Sequence, residues 1–188
     1  MQRRTFLATA MVAPTLGSSI ATMPTTQSAP GTQPQKGFMV KAGEARFGVH
    51  TPFKGVNPND LKVSSKDTNG ALSVFEYIGR EKTGPSLHVH FDQDEIFYII
   101  EGNYRFQVGD ETVLAGPGDT VFSPRNVPHT WIQLSDAGKL VYSVQPAGKL
   151  EDFFTLMSQM TGPPTVEESE AIHRAHGMKV IGPPLSLE

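Results

Sequence analysis

The 188-residue sequence contains no cysteine. No disulfide can staple the fold, and no thiolate is at hand as nucleophile or metal ligand. A large excess of charge of one sign is missing as well. Sixteen Lys and Arg stand against 19 Asp and Glu, a formal net charge of −3, which leaves no electrostatic footprint for nucleic acid. Long apolar runs are missing. The stretch from Phe6 to Ala21 is interrupted by Pro14 and Gly17 and falls short of the ~20 apolar residues a spanning helix needs, so no transmembrane helix is expected in the mature chain. Turn formers are plentiful instead, with 18 Gly and 15 Pro. That composition suits an all-β domain with many short connections. The length suffices for one domain with a sizeable core plus extensions.

The N-terminus places Arg3-Arg4 ahead of Phe6-Leu7 and a weakly apolar stretch without acids, ending in the small residues Ser19-Ile20-Ala21. It resembles a twin-arginine export signal over residues 1–21. That resemblance implies a bacterial protein, periplasmic or secreted, folded before transport. Residues 22–36 are rich in Thr, Pro and Gln without periodicity and read as a flexible linker.

From Gly37 onward short β-patterned runs follow one another, and residues 37–147 are expected to form a β-barrel domain. The runs are 38–41, 45–49, 61–65 and 71–78, then two around Gly84–Gly102, then 104–108, 111–114, 120–123, 129–134 and 140–144. Asn69-Gly70 is a hairpin signal, and connections this short require antiparallel pairing. Residues 148–188 change character and read as a helical extension packing on the barrel. The spacing of Leu150, Phe153, Phe154 and Met157 predicts one amphipathic helix over 149–160. Thr165 predicts the N-cap of a second, which should stop at Gly177.

The chemistry concentrates between Gly84 and Gly102. His88 and His90 are two residues apart on a predicted strand, so both imidazoles project to one face, about 7 Å apart along it. The polar segment 91–94 then allows Glu95 to open a second, antiparallel strand, on which Glu95, Phe97 and Ile99 share a face. His129, after a Gly/Pro-bracketed strand, supplies a fourth candidate ligand. Three imidazoles and a carboxylate without sulfur suit a divalent transition metal: Fe, Mn, Ni, Cu or Co, with Zn also admitted. By strand parity Phe97, Phe106 and Trp131 would line the barrel interior near this site, giving an aromatic substrate pocket. His50, His173 and His176 have no assigned role.

These two stretches resemble the paired motifs of the cupins. His88-x-His90, four residues, Glu95, six residues and Gly102 keeps the spacing of the first motif, although Gly84 lies two residues closer to His88 than the usual leading glycine. Gly118, five residues, Pro124, one residue, Asn126, two residues, His129, three residues and Gln133 keeps that of the second. There Asn126 replaces a glycine, a mild change because Asn tolerates positive φ, and Gln133 replaces an asparagine in what would be a secondary contact at the pocket. The span from about Phe38 to Leu185 is similar to single-domain cupins of the quercetin-dioxygenase-like group. The resemblance implies a double-stranded β-helix (jelly-roll barrel) with a short C-terminal helical extension. It also implies metal binding by His88, His90, Glu95 and His129, and a dioxygenase acting on a flavonol, phenolic or diketone-like molecule and O2, with Glu95 as catalytic base. A non-catalytic metal- or small-molecule-binding cupin, or a cupin isomerase or lyase, stays open beside it, as does assembly into a homodimer.

Overall fold

The computed structural model describes residues 36–188; the export signal expected over 1–21 and the linker up to residue 35 lie outside the described residues. Ten strands build the core of the described residues. They are β1 (Asn59–Val63), β2 (Ser73–Gly79), β3 (Ser86–His90), β4 (Asp94–Glu101), β5 (Tyr104–Val108), β6 (Glu111–Ala115), β7 (Thr120–Ser123), β8 (His129–Gln133), β9 (Gly138–Gln145) and β10 (Met178–Pro184). They form two five-stranded sheets in the orders β1-β2-β9-β4-β7 and β10-β3-β8-β5-β6. Every pairing is antiparallel. This is the jelly-roll, double-stranded β-helix architecture that the strand spacing and motifs predict.

Alternation decides which side chains enter the barrel. β2 buries Ser73, Phe75 and Tyr77 while Val74, Glu76 and Ile78 sit only half-buried, and β4 buries Glu95, Phe97 and Ile99. Phe75 stacks on Tyr142 of β9 at 5.1 Å between ring centroids, and Phe97 packs on Phe106 of β5 at 5.1 Å. Aromatic pairs at this spacing add stabilisation beyond the area they bury.

Three local expectations need correction. Residues 38–41 form no strand, and 45–49 hold a 3-10 turn at Arg46–Gly48. Phe47 within it takes φ 64°, which a strand cannot accommodate. The third concerns β3 and β4, which do not pair. The turn between them carries the chain from one sheet to the other, so His88 and His90 face Glu95 across the barrel interior. A two-state choice between hairpin and crossover is not written in a four-residue polar link.

The 3-10 turn is tied down by a two-pronged ion pair. Arg46 donates from Nε and Nη2 to the Asp67 carboxylate at 2.9 and 2.7 Å. That bond, joined by the Ser64 N–H, holds the Asp67 carboxyl below the ordinary carboxylate range against the opposing effect of burial. A depressed carboxyl stabilises the fold above its unfolded pKa, about 4, and the contribution fades as pH falls through its folded value. Arg46→Ala is therefore expected to lower the melting temperature at neutral pH. The deficit against wild type should shrink below the acid titration to the part owed to stacking of the guanidinium on Phe38 and Phe47, as thermal melts across about pH 2–7 would read.

Two helices follow β9. Helix α1 (Leu150–Gln159) buries Leu150 and Phe153 in the core, and Phe154 meets Phe75 edge-on at 5.3 Å. Glu151 fixes its first turn, accepting hydrogen bonds from Ser64 Oγ, Ser65 N and Ser73 Oγ. Glu151→Ala leaves three donors to find new partners, so a loss of about 2–3 kcal/mol is expected in denaturant unfolding. Helix α2 (Val166–Ala175) opens on a capping box between Thr165 and Glu168 and is followed by Gly177 at φ 78°, as its sequence predicts. Gly177 then turns the chain into β10, which pairs with β3 alongside His88 and His90.

Candidate metal centre

The four predicted ligands meet at one point inside the barrel. One ligand atom from each of His88, His90, Glu95 and His129 lies within 4.8 Å of all the others. β3 supplies His88 and His90, β8 supplies His129 as the direct cross-strand partner of His88, and β4 supplies Glu95 from the facing sheet. The ring centroids are 4.6 Å apart for His88–His129, 5.1 Å for His88–His90 and 5.4 Å for His90–His129. His90, Glu95 and His129 are buried.

The outer nitrogens of all three rings are occupied. Nδ1 of His88 lies 2.8 Å from Ser86 O, Nδ1 of His90 lies 3.1 Å from Gln93 Oε1, and Nδ1 of His129 lies 3.0 Å from Val127 O. Each partner is an acceptor, so each Nδ1 carries the proton and donates it, leaving Nε2 as the inward-facing ligand atom. Gln93 is itself locked. Its Nε2 donates to Ala147 O at 2.6 Å, and a Cβ on Gly148 would come 2.6 Å from that nitrogen. Nothing in the sequence marks Gln93 as more than a turn residue; only the fold brings it behind His90. Metal affinity is expected to fall about 10–100-fold in Gln93→Ala, the effect typical of a lost orienting partner, measured by competition with a chromophoric chelator.

Electrostatics fit a cation at this point. Burial pushes the His88 imidazole down to about 3, with His129 and His90 adding to the effect. Burial lowers His90 as well, against the pull of Glu95. Burial would raise the Glu95 carboxyl, but the hydrogen bond with His129 and the surrounding imidazoles outweigh it, and the group stays below its ordinary range. Burial would likewise lower His129, yet Glu95 Oε2 at 3.0 Å from its Nε2 draws it upward. The cluster thus sets one buried carboxylate against three imidazoles, with His129 Nε2 nearest to it at 3.0 Å. Three Nε2 atoms and Glu95 would together hold a divalent ion. The donor set, its tautomers and its charge all fit such an ion.

The cluster lies in a cavity of about 770 Å³. Phe97 and Trp131 line it, as expected. Phe106 and Gln133 do not. Phe106 is packed between Phe97, Tyr104 and Trp131 in the core. Gln133 turns to the paired glycines Gly79 and Gly138, where a Cβ would stand 1.5 and 2.5 Å from its Oε1, and donates to Ser135 O at 2.9 Å. A side chain that fills a two-glycine cradle is withdrawn from the pocket. Asn126 takes φ 63°, as its substitution for glycine anticipates.

Residues outside the motifs complete the lining. Asn59, Tyr77 and Tyr142 come from the strand wall, and Phe153, Met157 and His173 from the two helices. The helices therefore cover the cavity rather than only the outside of the barrel. Lys54 is the one Lys or Arg in that lining among the described residues, and it donates to Thr83 Oγ1 at 3.0 Å. His50 lies outside it, with Nδ1 2.9 Å from Asp60 Oδ1. His173 and His176 set Nδ1 against the helix carbonyls of Ser169 and Ile172 at 2.7 Å, and neither joins the metal-type cluster.

Comparison with known proteins agrees with this geometry. Residues 74–144 match the cupin domain family model. An RmlC-like cupin from Shewanella frigidimarina superposes with a TM-score of 0.52 at 19% identity, covering 63% of this chain and 97% of that one. KdgF from a Halomonas species gives a TM-score of 0.49 at 12% identity over 59% of this chain and 94% of that one. An uncharacterised protein of Methanocaldococcus jannaschii is 37% identical over 43 residues, 23% of this chain. The match spans about a third of that relative, 34% of its length. Residues 74–144 thus match a cupin domain, the described residues have the double-stranded β-helix fold, and the three-His/one-Glu cluster is a candidate metal site.

Proposed function

We propose that this protein is an exported, metal-dependent cupin oxygenase acting on a flavonol, phenolic or diketone-like small molecule. The observation that carries the reading is the placement of three inward Nε2 atoms and Glu95 in a cavity walled by Phe97, Trp131, Tyr142 and Phe153. Four protein ligands leave room on a five- or six-coordinate ion, the mark of a catalytic rather than a closed structural site. A bound Fe, Mn, Ni, Cu or Co ion would supply Lewis acidity and, for the redox-active metals, a route to O2 chemistry.

The remaining work falls to the chain itself. The aromatic walls bind and flatten the ligand and exclude water from it. Glu95, ionised at neutral pH, accepts the proton of the ligand's hydroxyl as general base. Ser86 O, Gln93 Oε1 and Val127 O hold the three rings in one tautomer while the ligand enters. The test is O2 uptake by metal-loaded protein against a panel of flavonols, catechols and 1,3-diketones. Uptake dependent on metal and on one of these classes supports the proposal. A metal-replete protein inert to all of them favours the non-catalytic binding cupin.

The proposal extends to address and assembly. Export rests on Arg3-Arg4, and a variant with both changed to Lys is expected to stay in the cytoplasm on fractionation. A homodimer rests on the apolar outer face of β4 and of the edge strand β7, where Ile96, Tyr98, Ile100 and Phe122 are exposed. A second copy would cover that face, and Phe122→Glu should then sediment as a monomer.

A further inference from the structure

The strand wall of the cavity carries two polar atoms that the fold leaves unmatched. Asn59 Nδ2 and Tyr77 Oη are buried, yet neither finds a hydrogen-bond partner among the described residues. Asn59 is 2% exposed and Tyr77 1%. An unmatched buried donor is costly, and native proteins keep few of them. Both residues line the same cavity as His88, His90 and Glu95. They also sit directly opposite one another, Asn59 on β1 in register with Tyr77 on β2, so their side chains leave the same face of the sheet as neighbours.

The amide is held in one orientation. Tyr142 Oη donates to Asn59 Oδ1 at 2.8 Å, which consigns Oδ1 to Tyr142 and leaves Nδ2 as the free donor. Thr51 Oγ1 donates to the Asn59 carbonyl at 2.6 Å and fixes the backbone beneath it. Tyr104 Oη and Gln133 Oε1 are unmatched too, but they gather at the Gly79–Gly138 cradle and do not line the cavity. Around Asn59 and Tyr77 the walls are flat and apolar, with Trp131 edge-on to Tyr77 at 5.0 Å and Phe53 at 6.0 Å.

We infer that Asn59 and Tyr77 form a ligand-binding subsite for a carbonyl or phenolic oxygen carried by a planar aromatic molecule that shares the cavity with the His/Glu cluster. Asn59 Nδ2 donates to that oxygen, and Tyr77 Oη donates to it or to its neighbour. The two residues are binding and specificity residues, remote from the metal-type ligands in sequence and marked by no motif. The inference rests on the reading of the cavity as a substrate site and names what that substrate must present.

The test uses quercetin as probe and zinc as the loaded ion, so that no redox turnover consumes the ligand. Trp131 is the only tryptophan and lines the cavity, so its fluorescence reports occupancy. Wild-type protein is expected to show saturable quenching. Asn59→Asp keeps the acceptor for Tyr142 and removes the donor. Tyr77→Phe keeps the ring and removes the hydroxyl. Each is expected to weaken binding about tenfold or more, the worth of one good buried hydrogen bond. Tyr77→Phe should melt no lower than wild type, because it removes an unmatched polar atom, whereas a hydroxyl with a purely structural role would lower the melt. Undiminished affinity in both variants, or a wild type that never saturates, overturns the inference. Metal uptake is measured separately by elemental analysis. A protein that takes no metal yet binds quercetin through Asn59 defeats the oxygenase reading and leaves the subsite standing.

Discussion

The double variant His88→Ala/His129→Ala is expected to emerge from purification with its transition metal reduced from near one equivalent to a trace. Two of four ligands are gone, and the loss does not stop there. His129 is also the partner that keeps the buried Glu95 carboxyl below its ordinary range. Without it, burial dominates and Glu95 moves toward its protonated form, which cannot ligate. Affinity should therefore fall by on the order of a thousandfold or more, beyond the 10–100-fold typical of a lost orienting partner. Elemental analysis of wild type and variant, purified side by side, reads the result. The variant should keep its fold, because the two truncations leave no unpaired buried charge once Glu95 moves toward its protonated form, and circular dichroism checks it. A variant as metal-rich as wild type would place the bound ion elsewhere, and a wild type that takes up no metal after reconstitution would remove the basis of the oxygenase proposal.

Gly84→Ala is expected to be the most damaging single methyl in the domain. A Cβ built there would lie 1.7 Å from the Trp131 carbonyl oxygen and 2.7 Å from its carbonyl carbon. Both are backbone atoms of a strand whose five residues are all buried, so no rotamer change can relieve the overlap. Either β8 or the segment entering β3 must move. Overpacking of this kind costs about 3 kcal/mol or more, a fall of about 10 °C in melting temperature for a domain of this size. The displaced strand also carries His129 and Trp131, so metal content and Trp131 fluorescence should change together. Gly162→Ala is the control. Its Cβ would have nothing within 4 Å, and its effect should stay within about 0.5 kcal/mol. Equal melts for the two variants would show that β8 has slack the packing does not suggest.

Gly84 also illustrates how far the motif can be read. Its spacing to His88 departs from the usual first motif, and as a motif position it looks like a lapse. In the structure it is a packing position, required because the chain passes against the backbone of β8. Gln133 behaves in the same way. Its spacing from His129 places it in the second motif, but the Gly79–Gly138 pair, more than fifty residues distant from it on one side, draws its amide out of the cavity. Motif spacing identifies which residues can ligate; it is blind to which neighbours crowd or cradle a side chain.

Phe97 and Phe106 separate the two levels further. Both alternate inward on their strands, and parity treats them alike. Only the packing of one sheet on the other puts Phe97 against the cavity and Phe106 within the core. Gln93, Asn59 and Tyr142 carry no local signal at all. Their roles depend on Ala147, Tyr77 and β4, each brought near by strand order rather than by spacing.

What the sequence by itself determined is the class of fold, the four candidate ligands and the strand face that each of them takes. Period-two alternation puts His88 with His90 and Glu95 with Phe97 on one side of a strand wherever that strand ends up, and Gly and Pro punctuate the strands that must turn. What only the tertiary structure decided is that β3 and β4 belong to opposite sheets, that α1 and α2 close over the cavity, and that Asn59 and Tyr77 face into it. Those outcomes turn on long-range pairing, where short stretches of chain offer several near-equivalent partners and burial of the whole apolar surface selects among them.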